Sequence, residues 1–300
     1  MLAAVRNARD DEAGAIADLL SRAAFGPTVS RLVAFPRASP HGDVLVAENG
    51  ADGGPAGAVC CVSFGPTGWI GALGVAPESR RHGLGRALTE AAVARLRERG
   101  ASTVLLFATD MGRPLYERLG FVAEGAATAW RGTAGATAGS VTVRRLREDD
   151  RATVAALDRI ATGEDRSNLL GALHPLSGVA VDRAGALAGW AAKAPYGAGI
   201  AICAADEEAG ATLMAAAAGG AAPATLVVPD ANAAANANLR RWGFRAANAG
   251  ERMRLGPPVA WRPERQFACS TSFGASRTAR DPRTAVPRTP PRPARRGTSR

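Results

Sequence analysis

Leu73-Gly74-Val75-Ala76-Pro77-Glu78-Ser79-Arg80-Arg81-His82-Gly83-Leu84-Gly85-Arg86-Ala87-Leu88 is the stretch on which the reading of this chain turns. The apolar run Trp69 to Val75 leads into it. After it, Leu84, Leu88, Ala91, Ala92 and Leu96 recur at helical spacing until Gly100 closes the pattern. The stretch therefore predicts a strand, a basic loop with two glycines, and a helix. The first turn of a helix leaves N–H groups without carbonyl partners and carries a partial positive charge. Gly83 and Gly85 lack a Cβ, so a phosphate can approach the backbone closely. Arg80, Arg81 and Arg86 add charge that favours a polyanion. The competing reading is that the glycines relieve crowding at a helix start and the arginines are merely solvated. A dinucleotide fingerprint fits poorly. Leu88 stands where the third glycine is needed, and no Asp or Glu lies near Thr103.

On either side the pattern continues. Val44–Ala47 and Ala58–Val62 are short β-like runs joined by the turn-rich Glu48-Asn49-Gly50-Ala51-Asp52-Gly53-Gly54-Pro55, which suggests an antiparallel hairpin. Downstream come a strand at Val104–Ala108 and a helix at Pro114–Leu119 that ends in Gly120-Phe121. Together these segments resemble the GCN5-related N-acetyltransferase superfamily. Its coenzyme motif, R/Q-x-x-G-x-G/A after a strand ending in V-x-P, is met by Val75-Ala76-Pro77 and Arg80-Arg81-His82-Gly83-Leu84-Gly85. The resemblance covers the first half of the chain. It implies an α/β (α+β) fold with a mixed, mostly antiparallel sheet flanked by helices. It also implies acetyl-CoA as acyl donor, with no metal.

By the same resemblance, Leu73, Gly74 and Val75 lie along the pantetheine arm, with backbone pairing from Leu73 and Val75. Arg80, Arg81, His82, Gly83, Leu84, Gly85 and Arg86 surround the pyrophosphate. Tyr116 falls on the position of the general acid that reprotonates the leaving thiolate. A core aromatic at the helix start is the alternative for Tyr116. The N–H groups around Gly74 and Val75 are candidates for the oxyanion site. An asparagine common in the family is replaced here by Thr109-Asp110-Met111-Gly112. No Asp or Glu lies between Gly65 and Ala76, so no base is assigned; Asp110 is open either to that role or to capping the next helix.

An internal repeat organises the rest. Val5-Arg6-Asn7-Ala8-Arg9-Asp10-Asp11 is echoed by Val143-Arg144-Arg145-Leu146-Arg147-Glu148-Asp149-Asp150. Leu115-Tyr116-Glu117-Arg118-Leu119-Gly120-Phe121 is echoed by Asn238-Leu239-Arg240-Arg241-Trp242-Gly243-Phe244. The expected division is a catalytic domain at 1–131, a linker at 132–140, a divergent second domain at 141–273 and a disordered basic tail at 274–300. In the second copy a strand at Ile200–Ala204 runs into Ala205-Asp206-Glu207-Glu208, whose carboxylates answer the helix dipole and repel a pyrophosphate. Leu239 replaces the tyrosine. This half should therefore not bind the coenzyme in the same way. Asp165-Arg166-Ser167-Asn168-Leu169-Leu170 resembles the divergent second domain of bacterial tandem acetyltransferases; Asp165 and Arg166 either contact substrate or pair at a helix end.

Composition narrows the setting. Of 300 residues, 47% are hydrophobic and 21% charged, which excludes a mostly disordered chain. No run of about 18 uncharged apolar residues is present, so no membrane span is expected. The acidic N-terminal start does not read as a signal peptide, and a cytoplasmic protein is expected. The net charge of +10 is concentrated in Arg277–Arg300, which holds eight arginines and one aspartate. Nucleic-acid affinity, if any, would belong to that tail. Cys60, Cys61, Cys203 and Cys269 form no C-x-x-C pair and read as small core residues. The expected function is transfer of acetyl from acetyl-CoA to the amine of a small molecule. The alternative from another class is a non-catalytic sensor of acyl-CoA or a metabolite.

Overall fold

A computed structural model describes residues 4–25, 29–48, 54–135, 141–171, 178–183, 185–193 and 199–269. The expected basic tail and most of the expected linker lie outside these residues.

The first half opens with β1 (Val5–Asn7), α1 (Ala13–Leu20) and α2 (Val29–Ala38). It continues through the meander β2 (Gly42–Glu48), β3 (Pro55–Phe64) and β4 (Thr67–Val75), then α3 (Leu84–Glu98), β5 (Thr103–Ala108), α4 (Arg113–Arg118) and β6 (Val122–Gly132). The second half repeats the order more briefly. It comprises β7 (Thr142–Arg145), α5 (Arg151–Thr162), α6 (Ser167–Gly171), β8 (Val179–Arg183), β9 (Ala186–Lys193), β10 (Ile200–Ala204), α7 (Glu207–Ala218), β11 (Ala224–Pro229), α8 (Ala233–Arg241), β12 (Arg245–Leu255) and β13 (Gln266–Ala268). The strand–loop–helix order predicted around Gly83 is the one observed. Among the described residues no helix is long and apolar enough to cross a membrane.

The apolar stripe of α3 explains its docking. Leu84, Leu88, Ala92 and Leu96 are buried against Ile70, Val104, Leu106 and Met253 on one face of the sheet. Each leucine so covered contributes about 1.5–3 kcal/mol. On the other face, Ile16, Leu19 and Leu20 of α1 pack on Val44, Val46, Ala58 and Cys60. Neighbouring Cys60 and Cys61 therefore enter different cores, as strand alternation requires. All four cysteines are buried and unbridged, and burial pushes the Cys61 and Cys269 thiols up to about 12.

The repeat is physical as well as textual. In the first half Arg6 donates to Glu12 at 2.7 and 2.8 Å, and the Arg9 N–H donates to the same carboxylate at 2.7 Å. In the second, Arg144 donates to Asp150 at 2.7 and 2.8 Å, and the Arg147 N–H does so at 2.7 Å. Each set ties an opening strand to a single-turn helix three residues long.

The sheets do not stop at the boundary between the halves. One holds eight strands in the order β1-β2-β3-β4-β5-β12-β6-β11, and the other five in the order β13-β10-β9-β8-β7. β12, which follows α8 of the second half, lies between β5 and β6 of the first. β6 in turn pairs with β11 of the second half, from Ala224↔Gly132 to Pro229↔Ala127. The two strands that follow the Gly-Phe pairs thus each complete the partner half. Trp130 of β6 is accordingly buried in the core of the second half, with Leu226, Leu239 and Phe244.

Candidate active site

A fork in the large sheet makes the site. β4 pairs in parallel with β5 only from Thr67↔Thr103 to Ile70↔Leu106. Beyond Ile70 the strands part. The ladder between β3 and β4 breaks at the same place, where Ala72 and Leu73 oppose Val59 alone. Such a bulge bends a strand and increases its twist. Ala72 sits there at φ +50°.

The open arm of β4, from Gly71 to Val75, forms one wall of a cleft of about 530 Å³. α4 and the segment after β5 form the other wall, and the loop that starts α3 closes one end. Ala76 N–H donates to Ala56 O on β3 at 2.8 Å. Strand alternation therefore turns the backbone of Gly74 toward β3 and those of Leu73 and Val75 toward the cleft. The Gly74 N–H, one of the expected oxyanion donors, thus points away from the cleft, and those of Leu73 and Val75 face it. Gly74 has its own reason to be glycine: a Cβ there would come within 2.6 Å of Leu20 on α1.

At the loop, Arg81 has φ +66° and Gly83 φ +81°. Ala72 and Arg81 are the two non-glycine residues with positive φ among the described residues, and both line this cleft. A left-handed L-residue costs roughly 1–2 kcal/mol. The strain is therefore concentrated on the two turns that shape the cleft. The amide N–H groups of Arg81 through Arg86 donate no hydrogen bond to any described residue, and Arg81, His82 and Gly83 are exposed. Six donors at a helix start thus point to no partner among the described residues.

Among the described residues four arginines, Arg80, Arg81, Arg86 and Arg118, line the cleft, and no carboxylate does. Arg80 Nε donates to Val75 O at 3.3 Å, and Arg86 pairs with Glu90 at 2.9 Å on the exposed face of α3. Arg81 and Arg118 have no ion-pair partner among the described residues.

Tyr116 stands on α4 in the opposite wall, 7% exposed, its ring edge-on to Phe121 with centroids 5.8 Å apart. Its hydroxyl has no hydrogen-bond partner among the described residues. Burial raises the Tyr116 pKa well above the usual phenol value. α4 starts without help from a carboxylate cap at Gly112; the Gly112 N–H donates to Thr109 O at 3.0 Å and meets Thr109 Oγ1 at 3.3 Å.

Leu73, Gly74, Val75, Arg80, Arg81, Gly83, Leu84, Gly85, Arg86 and Tyr116 are thus brought together around one cleft. Of the residues singled out in the sequence, His82 does not line it. Sequence reasoning missed Trp69, Phe107 and Arg118. Arg118 carried a signal, since it lies two residues after Tyr116 in the repeated segment. Trp69 and Phe107 carried none, because their role depends on contacts with the second half.

The second half lacks this fork. β13 pairs with β10, and the Cys269 N–H just after it donates to Val227 O on β11 at 2.7 Å. A strand therefore occupies the space that stays open between β4 and β5. Its Phe267 is fully buried, and a Cβ on Gly210 of α7 would collide with that ring. At the start of α7, Asp206 accepts the Ala209 N–H at 3.0 Å, and Arg183 pairs with Asp206 at 2.6 Å and Glu208 at 2.7 Å. This half's own groups already occupy the place of a phosphate. Asp165 pairs with Arg159 at 2.9 Å and buried Arg166 with buried Asp158 at 2.5 Å, so of the two readings for these residues the pairing is the one observed.

Comparison with known proteins agrees with this fold. Residues 15–121 match the Acetyltransferase (GNAT) family, and residues 154–268 match the Acetyltransferase (GNAT) domain. A mycothiol acetyltransferase of Thermobispora bispora is 48% identical over 60 residues, which is 19% of this chain and 20% of that protein. The match thus spans about a fifth of that relative's length. Among solved structures, a provisionally assigned acetyltransferase from Pyrococcus horikoshii superposes with a TM-score of 0.77 at 20% identity, over 91% of this chain and 95% of that one. A GCN5-related N-acetyltransferase from Sphaerobacter thermophilus gives 0.63 at 16%, over 86% and 98%. A tandem GNAT protein from the clavulanic acid biosynthesis pathway gives 0.56 at 21%, over 85% and 98%.

Proposed function

Because the chain belongs to the acetyltransferase (GNAT) family and carries two such domains in tandem, we propose that its first half transfers an acetyl group from acetyl-CoA to the amine of a small molecule. One observation carries this reading: six unpartnered amides and an arginine cluster at the end of a forked sheet, with a buried tyrosine on the facing wall. Amides at a helix start and guanidinium groups are the donors that a diphosphate requires. The open edge of β4 offers backbone groups of Leu73 and Val75 to the amide-bearing arm of the donor.

The chemistry then follows from the residues present. The amine nitrogen attacks the thioester carbonyl and forms a C–N bond. The Leu73 N–H, which faces the cleft nearer its far end, suits the developing oxyanion, a contact worth about 3–4 kcal/mol when well aimed, while the Val75 groups stay with the donor's arm. Collapse breaks the C–S bond, and the Tyr116 hydroxyl passes its proton to the departing sulfur. Water takes the proton lost by the amine. The sensor alternative predicts binding without turnover. A catalytic reading is favoured by Tyr116, whose hydroxyl is left without a partner beside the cleft.

Release of free thiol from acetyl-CoA, followed with a panel of amines, tests the proposal. We expect turnover in the full chain. Tyr116→Phe should lower kcat about 100-fold and leave acetyl-CoA affinity within twofold. Saturable binding of acetyl-CoA with no thiol release from any amine favours the sensor.

A further inference from the structure

The base of the fork holds an arrangement that acetyl transfer alone does not explain. Trp69 and Phe107 line the cleft there and stack with centroids 5.5 Å apart. The second half fixes the indole of Trp69. Its Nε1–H donates to Glu164 Oε2 at 2.7 Å, and the same oxygen accepts Thr67 Oγ1–H at 2.9 Å. The Arg252 guanidinium lies over the other side of this cluster, 5.2 Å from the Trp69 ring and 4.6 Å from that of Trp261. Glu164 is 2% exposed and Arg252 3%. Arg252 is anchored in turn by Nε, which donates to Glu124 at 2.8 Å.

A buried carboxylate and a buried guanidinium are costly to desolvate unless they are paired. Here Glu164 accepts from the Trp69 indole and from Thr67, and Arg252, paired with Glu124, lies over the Trp69 ring and over Trp261. That indole stands six residues along β4 from Val75, roughly 20 Å at the usual rise of a strand. It therefore walls the end of the cleft remote from the phosphate-type loop, four residues beyond Leu73, from which an acceptor would reach the acyl carbon. The lining residues at this end, Trp69, Ile70, Gly71, Ala72 and Phe107, offer neither a carboxylate nor a hydroxyl. Among the described residues at this end a polyamine would find no counter-charge, and the hydroxyls of an amino sugar would find no partner. A flat apolar body would stack on the aromatic pair.

We propose that Glu164 and Arg252 are positioning residues that hold Trp69 as the acceptor wall, and that the acceptor is a primary amine on a flat apolar body, an arylalkylamine. The inference rests on the acetyl-transfer reading.

Thiol release from acetyl-CoA by the full chain, measured with phenethylamine, tryptamine, glucosamine and spermidine, tests it. The two arylalkylamines should give a kcat/KM at least about tenfold above the others. Trp69→Leu should raise their KM about tenfold and leave the KM for acetyl-CoA within twofold. Glu164→Ala should do the same, and the double variant should be no worse than either single one, because both act through one indole. Glu164→Gln keeps an oxygen for the indole N–H and should keep most of the original KM. If Glu164→Ala does not fold, Trp69→Leu and Glu164→Gln carry the comparison. An unchanged amine KM in folded Trp69→Leu overturns the inference, as do additive losses in the double variant. Turnover of only glucosamine or spermidine overturns it and leaves acetyl transfer standing. Release from none of a broad amine panel overturns both.

Discussion

Ala72 and Arg81 show how a single backbone angle can matter more than the identity of its side chain. Both lie in a region that L-residues avoid, and both shape the cleft walls. Nothing in the letters Ala or Arg announces this, whereas Gly83 announced its own left-handed turn. Gly85 is different again: a Cβ there has room, with Leu115 at 3.5 Å and Val75 at 3.9 Å, but a branched side chain would project between those two walls. Gly85→Val should therefore weaken acetyl-CoA binding about 100-fold in a calorimetric titration, with an unchanged circular dichroism spectrum. At Tyr116 the raised pKa decides a second outcome. Its acid form persists past the ordinary phenol value near 10. As pH rises toward 10, more acceptor amine is neutral while the acid stays protonated. The rate should climb without a descending limb below about pH 10, read as kcat/KM against pH.

Among the elements, the two opening strands and their single-turn helices carry matching ion pairs, and these are lost at acid pH. Arg6 and the Arg9 N–H hold the Glu12 carboxyl at about 2, against an ordinary value of 4.5. The stabilisation is thus complete above about pH 4.5 and is lost as the pH falls through about 2. Glu12→Gln should lower Tm at pH 7 by about 5 °C. The gap to the parent protein should close between pH 4.5 and 2, followed by thermal melts across that range. The repeat was legible because arginines, acids and a helix start recur in both halves, although Glu12, the acid that makes the pairs, lies one residue beyond the Asp11 at which the echo ends. The strand–loop–helix around Gly83 was legible for a similar reason: its donors and helical stripe lie within thirty residues or so. The three-residue β13 was not, since Gln266-Phe267-Ala268 is too short to show a period and acts only through its neighbours. Nor was the Trp69–Glu164 contact, whose partners are 95 residues apart.

At the scale of the whole molecule, one half is open and the other plugged. β13 fills the gap between β10 and β11, and Arg183 with Asp206 occupies the start of α7. Titration of the full chain with acetyl-CoA should therefore saturate at one equivalent per chain; two equivalents would mean that β13 yields to the ligand. The sequence revealed this asymmetry through its lost glycines and gained carboxylates. It did not reveal which sheet each closing strand enters. β6 and β12 both follow a Gly-Phe pair and both have a suitable strand edge to join, so local pattern cannot choose between them. That choice has a consequence for synthesis. β12 covers the outer edge of β5, and its last residue, Leu255, leaves the ribosome well over a hundred residues after Ala108. At ordinary translation rates the nascent β5 edge waits on the order of ten seconds for its neighbour. During that interval the growing polypeptide exposes an unpaired border, and a chaperone would find its handhold there.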